Sequence, residues 1–145
     1  MGSPKLSCEV LSVGDAREQV VVEDLTRTQI VQYAGASGDF NPIHHDEHFA
    51  TRAAGYPSVF AHGMLTMGLT GRLLTDWLGD GVLCEYGVRF VNQVWPGDTL
   101  TAQGTVTAIE PEGEQGRVAI DLVTINQKGE PVVKGNAVAL LPVRG

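Results

Sequence analysis

Cysteine is scarce: among 145 residues only Cys8 and Cys84 carry a thiol, far apart and with no motif around either. A disulfide framework is therefore not expected, and a reducing interior is the default compartment. Positive charge is short as well. Ten Lys and Arg stand against 17 Asp and Glu, a formal net charge of −7, so no basic stripe exists to neutralise nucleic-acid phosphates. A phosphorylated ligand stays open, because it needs only a few cations at one place. Long apolar runs are missing too, and the segment 1–5 leads into no apolar stretch of the signal-peptide kind. These lacks exclude nucleic acid as the main partner, argue against a membrane span, and predict a cytoplasmic protein.

What is present describes an ordinary globular domain, 43% apolar and 19% charged, long enough to bury a real core in one unit spanning residues 1–145. Leu11 and Val13 suggest a short strand before a turn at Gly14-Asp15. The β-branched run Val20, Val21, Val22 predicts a strand. Thr26 with Gln29 three residues on fits a capping box, and the helix it starts should stop within Gly35 to Gly38. A second short helix is expected from Asp46 to Ala54, burying Phe49, Ala50, Ala53 and Ala54. The stretch 62–78 is apolar over much of its circumference, which predicts a buried helix. Gly63, Gly68 and Gly71 weaken that helix, so close packing against a sheet is their expected reason.

From Val82 onward the period changes to two. Leu83, Glu85, Gly87, Arg89 and Val91 should face one way, and Cys84, Tyr86, Val88, Phe90 and Asn92 the other. Trp95-Pro96-Gly97-Asp98 reads as a type II turn. Strands follow at 100–109, 118–124 and 132–141, with 110–116 as a solvated hairpin loop. Four consecutive strands with short connections predict an antiparallel meander. The whole is an α+β domain, a curved antiparallel sheet wrapped around the helix 63–78.

The chemistry concentrates in residues 33–50. Asp39 and His44 sit five residues apart with Asn41 and Pro42 between them. Gly38 frees the backbone before the acid, and Pro42 keeps Asn41 out of helical dihedrals, so an extended loop should carry the pair. His44, His45 and His48 with Asp46 and Glu47 invite a metal reading. Their order is not the His-Glu-x-x-His of zinc helices, and no clear ligand set emerges; no metal is expected. His45 and His48 read as solvated residues, and His62 as a residue that caps or packs near the long helix. Met64 and Met67 read first as core filler. Arg89 is left between Glu85, the motif loop and a ligand phosphate.

The stretch from Tyr33 through Gly38-Asp39-Phe40-Asn41-Pro42-Ile43-His44 resembles the signature of the MaoC-like dehydratases, the R-specific enoyl-CoA hydratases with a hot-dog fold. Ala61-His62-Gly63-Met64-Leu65 is similar to the opening of that family's central helix. Glu85-Tyr86 with Val88-Arg89-Phe90, and Pro96-Gly97-Asp98, resemble its next strand and turn. Within the family, the chain looks most like the catalytic subunit of actinobacterial (3R)-hydroxyacyl-carrier-protein dehydratases. The resemblance implies Asp39 and His44 as the catalytic pair, oriented by Asn41, with Gly63 and His62 at the substrate carbonyl and no cofactor. It implies reversible dehydration of (3R)-hydroxyacyl thioesters of coenzyme A or acyl carrier protein in fatty-acid metabolism.

Those residue types suit that reaction. Hydrating a trans-2-enoyl thioester needs a base for water, a proton for C2 and stabilisation of an enolate-like oxygen. Asp39 is expected as the base and His44 as the proton donor, while the helix start near Gly63 meets the oxygen. A hot-dog acyl-thioesterase and a non-catalytic partner subunit are the alternatives. The Gly-Asp-x-Asn-Pro-x-His pattern disfavours the first, and the presence of both Asp39 and His44 argues against the second. An exposed sheet edge and a partly covered helix predict a dimer joining two sheets; the resemblance implies a homodimer or a heterodimer with a second, catalytically deficient hot-dog chain.

Overall fold

A computed structural model describes residues 5–144. Five strands form one antiparallel sheet: β1 (Ala16–Val22), β2 (Leu83–Phe90), β3 (Leu100–Glu112), β4 (Gln115–Ile125) and β5 (Pro131–Pro142), in the spatial order β1-β3-β4-β5-β2. Two α-helices, α1 (Arg27–Ser37) and α2 (Gly63–Leu78), lie between β1 and β2 in the chain. Among the described residues no helix is long and apolar enough to cross a membrane.

The expected four-strand meander is corrected by this order. Only β3, β4 and β5 follow one another as neighbours; β2 pairs with β5 at the far edge. The segment between Phe90 and Leu100 carries the chain back across to β3, beside β1. Its Trp95–Asp98 turn matches expectation: the Asp98 N–H donates to the Trp95 carbonyl at 3.0 Å, and Gly97 takes φ +92°. The buried Asp98 carboxylate also accepts from the Trp95 N–H and the Gln127 amide, both at 2.9 Å.

Other departures have local causes. Among the described residues no strand precedes Gly14; a 3-10 turn occupies Cys8–Val10. In β1 a register shift between Val20 and Val22 lets both Val21 and Val22 face the core. A similar shift between Leu83 and Glu85 breaks the predicted alternation, so Leu83 and Tyr86 both pack on the core. The 110–116 loop is mostly ladder, paired down to Glu112 opposite Gln115, with the turn at Gly113 and Glu114. Charge does not prevent pairing there, because the side chains remain exposed and Arg117 pairs with Glu85 and Glu112. The segment expected to bury four residues of 46–54 buries only Ala50, since its single π-helical turn Phe49–Ala53 presents one residue inward.

Helix α2 lies against the sheet through its C-terminal half. Leu73, Leu74, Trp77 and Leu78 are buried against Leu100, Val106, Ile120 and Ala139 of the core. Gly104 marks a close approach: a Cβ there would stand 3.3 Å from Leu73, Trp77 and Ile120. Gly63 and Gly71 lie under the rings of Phe90 and Tyr86, as their expected packing role requires. Gly68 does not; nothing lies within 4 Å of its missing Cβ. Towards its N-terminus the helix is open, with Met64 and Gly68 exposed, so the sheet sheathes only part of it.

A fully buried side-chain pair also joins helix and sheet. The buried hydroxyls of Thr70 on α2 and Thr124 on β4 lie 2.7 Å apart and satisfy each other. Thr70→Val should therefore cost about 1–3 kcal/mol, the penalty of an orphaned buried hydroxyl, while Thr70→Val/Thr124→Val recovers most of it. Urea unfolding of the two single variants and the pair checks this; additive losses would contradict it.

Candidate active site

Helix α1 carries the chain to the acid. Its capping box is present: the Gln29 N–H donates to Thr26 Oγ1 at 3.0 Å, and the Thr26 N–H to Gln29 Oε1 at 2.9 Å. The helix continues through Gly35 and ends at Gly38, whose φ of +78° makes it a left-handed cap. Two side-chain turns follow in succession. Asp39 Oδ1 accepts from the Asn41 N–H, and Asn41 Oδ1 from the Ile43 N–H, both at 3.2 Å.

The expected extended loop thus extends only to Asn41. Pro42–His44 is a 3-10 turn with Pro42 at its start, where a missing N–H costs nothing. Asn41 shapes this bend through the backbone; it caps the turn that presents His44.

A second segment supports the first. Glu47 accepts from Arg27 on α1 at 2.6 Å and from the Val59 N–H at 3.2 Å. The Arg27 hydrogen bond and then the Val59 N–H hold the Glu47 carboxyl below its ordinary value. Val59 leads into Phe60, whose carbonyl accepts from His44 Nδ1 at 2.6 Å. A carbonyl cannot donate, so Nδ1 carries the proton and Nε2 keeps its lone pair.

His62 does the converse. Its Nε2 donates to the Asp39 carbonyl at 3.0 Å. The two imidazoles stack, centroids 3.9 Å apart at 26°, with Tyr33 edge-on to His62 and Phe60 edge-on to His44. His44 and His62 are buried, 7% and 2% exposed, while Asp39 is exposed. Asp39, His44 and His62 bring one nitrogen or oxygen each within 4.8 Å of one another.

Such a trio invites a cation, but one nitrogen of each ring, Nδ1 of His44 and Nε2 of His62, already donates to a backbone carbonyl. His45 and His48 are exposed, as expected of solvated residues, with His45 Nε2 on the Phe40 carbonyl.

Burial lowers the His44 pKa below 6.5, and nearby His62 and His45 lower it further, against the Phe60 hydrogen bond and the Asp39 charge that raise it. His44 is thus neutral at pH 7 with an accepting Nε2. That resting state suits taking a proton from water, the reverse of the division expected from the sequence.

A cleft of ≈ 310 Å³ adjoins the pair at Phe60 and runs past Gly63, Thr66, Phe90, Asn92 and Val133. Neither Asp39 nor His44 lines it. Gly63 does, at the start of α2, where the His62 side chain makes no cap bond and so leaves the first-turn amides uncovered by it. Phe60, Tyr33, Phe90 and Asn92 received no individual role from the sequence, since they meet only across separate elements. Arg89 does not pair with Glu85, which binds Arg117; it stands opposite Lys134 on β5.

Residues 10–128 match the MaoC like domain family, and that match covers most of the chain. The protein belongs to this family. It is 30% identical over 135 residues to the (R)-specific enoyl-CoA hydratase of Rhodospirillum rubrum, covering 92% of this chain and 91% of that one. To the 3-hydroxyacyl-thioester dehydratase Y of Mycobacterium tuberculosis it is 37% identical over 100 residues, 59% of this chain but only 34% of that protein. Among solved structures it resembles the (R)-hydratase from A. caviae, with TM-score 0.81, 30% identity, and coverage of 93% of this chain and 100% of that one. Its sheet and helix are thus those of the hot-dog R-hydratases, as the resemblance implied.

Because Asp39 raises the His44 pKa, Asp39→Asn should move it lower still. A 15N-imidazole titration by NMR checks both points. A His44 midpoint above 6.5 in the parent protein, or an upward move in the variant, would contradict the site described.

Proposed function

We propose that this protein is a hydro-lyase interconverting (3R)-hydroxyacyl and trans-2-enoyl thioesters of fatty-acid metabolism. The observation that carries it is the neutral His44, anchored through Nδ1 with Nε2 free, beside the Asp39 carboxylate and the amide end of α2. Membership of the MaoC-like family and the names of its hydratase relatives support the same reading.

In hydration, a water held between Asp39 and His44 gives one proton to Nε2 while its oxygen bonds to C3. The C2–C3 double-bond electrons move towards the thioester oxygen, where the Gly63 amide and the positive end of α2 meet the developing charge. Asp39 orients the water and offsets the imidazolium. The proton then passes from the pair to C2, so none is gained or lost overall. Dehydration runs the same steps backwards. Asn41 orients Asp39 and His44 by holding their bend and need not touch substrate.

Asp39→Asn and His44→Gln should each lower crotonyl-CoA hydration by roughly 10²–10⁴-fold, the range for removing a positioned acid or base. Loss of enoyl absorbance measures it, with circular dichroism confirming that the variants fold. A folded Asp39→Asn enzyme with near-parent turnover would overturn the assignment. Thiol release without hydration would make the protein a thioesterase instead.

The acyl chain needs more cover than one protomer offers. The cleft is open, Met64 and Phe90 beside it are exposed, and β2 is an edge strand with five of its eight residues exposed. A hot-dog dimer, with a second copy or a related subunit, would cover these surfaces. Related structures include a ChsH1-ChsH2 complex from Mycobacterium tuberculosis. Chain-length preference should then depend on the partner. Light scattering coupled to an acyl-chain panel tests this; a monomer fully active on long acyl thioesters would refute it.

A further inference from the structure

We infer that His62 is a positioning residue: its ring ties the Asp39 main chain to the first turn of α2 and packs face to face on His44. The inference rests on the reaction proposed above and assigns this histidine a task within it. Three observations carry it. The Nε2–H of His62 donates to the Asp39 carbonyl at 3.0 Å. The ring stacks on His44 at 3.9 Å. Its Nδ1 is the one buried side-chain nitrogen or oxygen without a hydrogen-bond partner among the described residues.

That orphan nitrogen needs an explanation, because buried polar atoms are nearly always satisfied. A residue selected only for packing or capping would not need it. His62 stands at the N-cap of α2, yet its side chain does not cap the helix. Turning instead to Asp39 keeps the first-turn amides clear for an oxyanion and joins them to the acid through one side chain. Base, acid and amide end thereby move as one body.

The same ring acts on His44. The charged or titratable groups facing His62 are Asp39 from the motif loop, His44 from the 3-10 turn and Tyr33 from α1, with His45 near His44. Of these, His44 lies closest by centroid, and His62 is among the groups that lower its proton affinity. Stacked imidazoles favour at most one charge, so His62 helps keep His44 ready to accept.

Two substitutions separate the two tasks. His62→Phe keeps a ring against His44 and Tyr33 but removes the donor to Asp39. His62→Gln keeps an amide N–H in the place of Nε2–H but removes the ring. His62→Phe should lower kcat roughly 10- to 100-fold, the scale of a small misplacement, with KM nearly unchanged. His62→Gln should recover most of that loss. In both, the His44 midpoint should rise relative to the parent protein, moving the acid limb of the rate profile up in pH.

Long-range 1H–15N spectra of the intact protein add a readout independent of turnover: His62 should be the Nε2–H tautomer and His44 the Nδ1–H tautomer. A His62 protonated at Nδ1, or a folded His62→Phe enzyme with parent kcat, would overturn the inference. If His62→Phe does not fold, the parent tautomers and the His62→Gln profile decide it. A parent protein that fails to hydrate crotonyl-CoA would remove the reaction assigned above, while the tautomers would still decide the tie.

Discussion

Two hydrogen bonds from histidine rings to backbone carbonyls hold the site together. His44 donates to Phe60 and His62 donates to Asp39, so each of two distant segments grips the other by a side chain. Neither bond is strong alone, a net worth of about 0.5–1.5 kcal/mol each. Their value is geometric. They choose a tautomer for each ring and hold Asp39, His44 and His62, the residue that opens α2, with a nitrogen or oxygen of each within 4.8 Å of the others.

That joint works only because α2 is held firmly at its other end. Leu73, Leu74, Trp77 and Leu78 bury the C-terminal half in the sheet, with Gly104 allowing close approach. The N-terminal half is left partly bare, with Gly63 and Met64 exposed. A rigid anchor with an open tip is what a helix must provide if its first amides are to serve as an oxyanion site. The hydroxyl pair of Thr70 and Thr124 marks the middle of the helix, between its buried end and its open end.

Local chemistry was legible in the residues. The Thr26 and Gln29 capping box, the left-handed stop at Gly38, the Trp95–Asp98 turn and the span 63–78 all depend on near neighbours, and each occurs where the sequence indicated. The pairing of β2 with β5 was not legible, because β-branched and aromatic residues state that a segment is a strand and not which strand it joins. Bulges at Val21 and Cys84 hid for a similar reason: a single extra residue reverses the facing of everything before it, while hydrophobicity in a half-buried strand tolerates either reading.

The site divides along the same line. Residues 38–44 determined by themselves that an acid and an imidazole would share one stiff bend, since Gly38, Asn41 and Pro42 act within a few bonds. Only the tertiary structure decided that His62 stacks on His44 and donates to the Asp39 carbonyl, that His44 spends Nδ1 on Phe60, and that the imidazole therefore begins as an acceptor. The reason is physical: a tautomer and a proton affinity are set by what lies across space from a ring, and those partners come from segments 16 to 23 positions away in the chain.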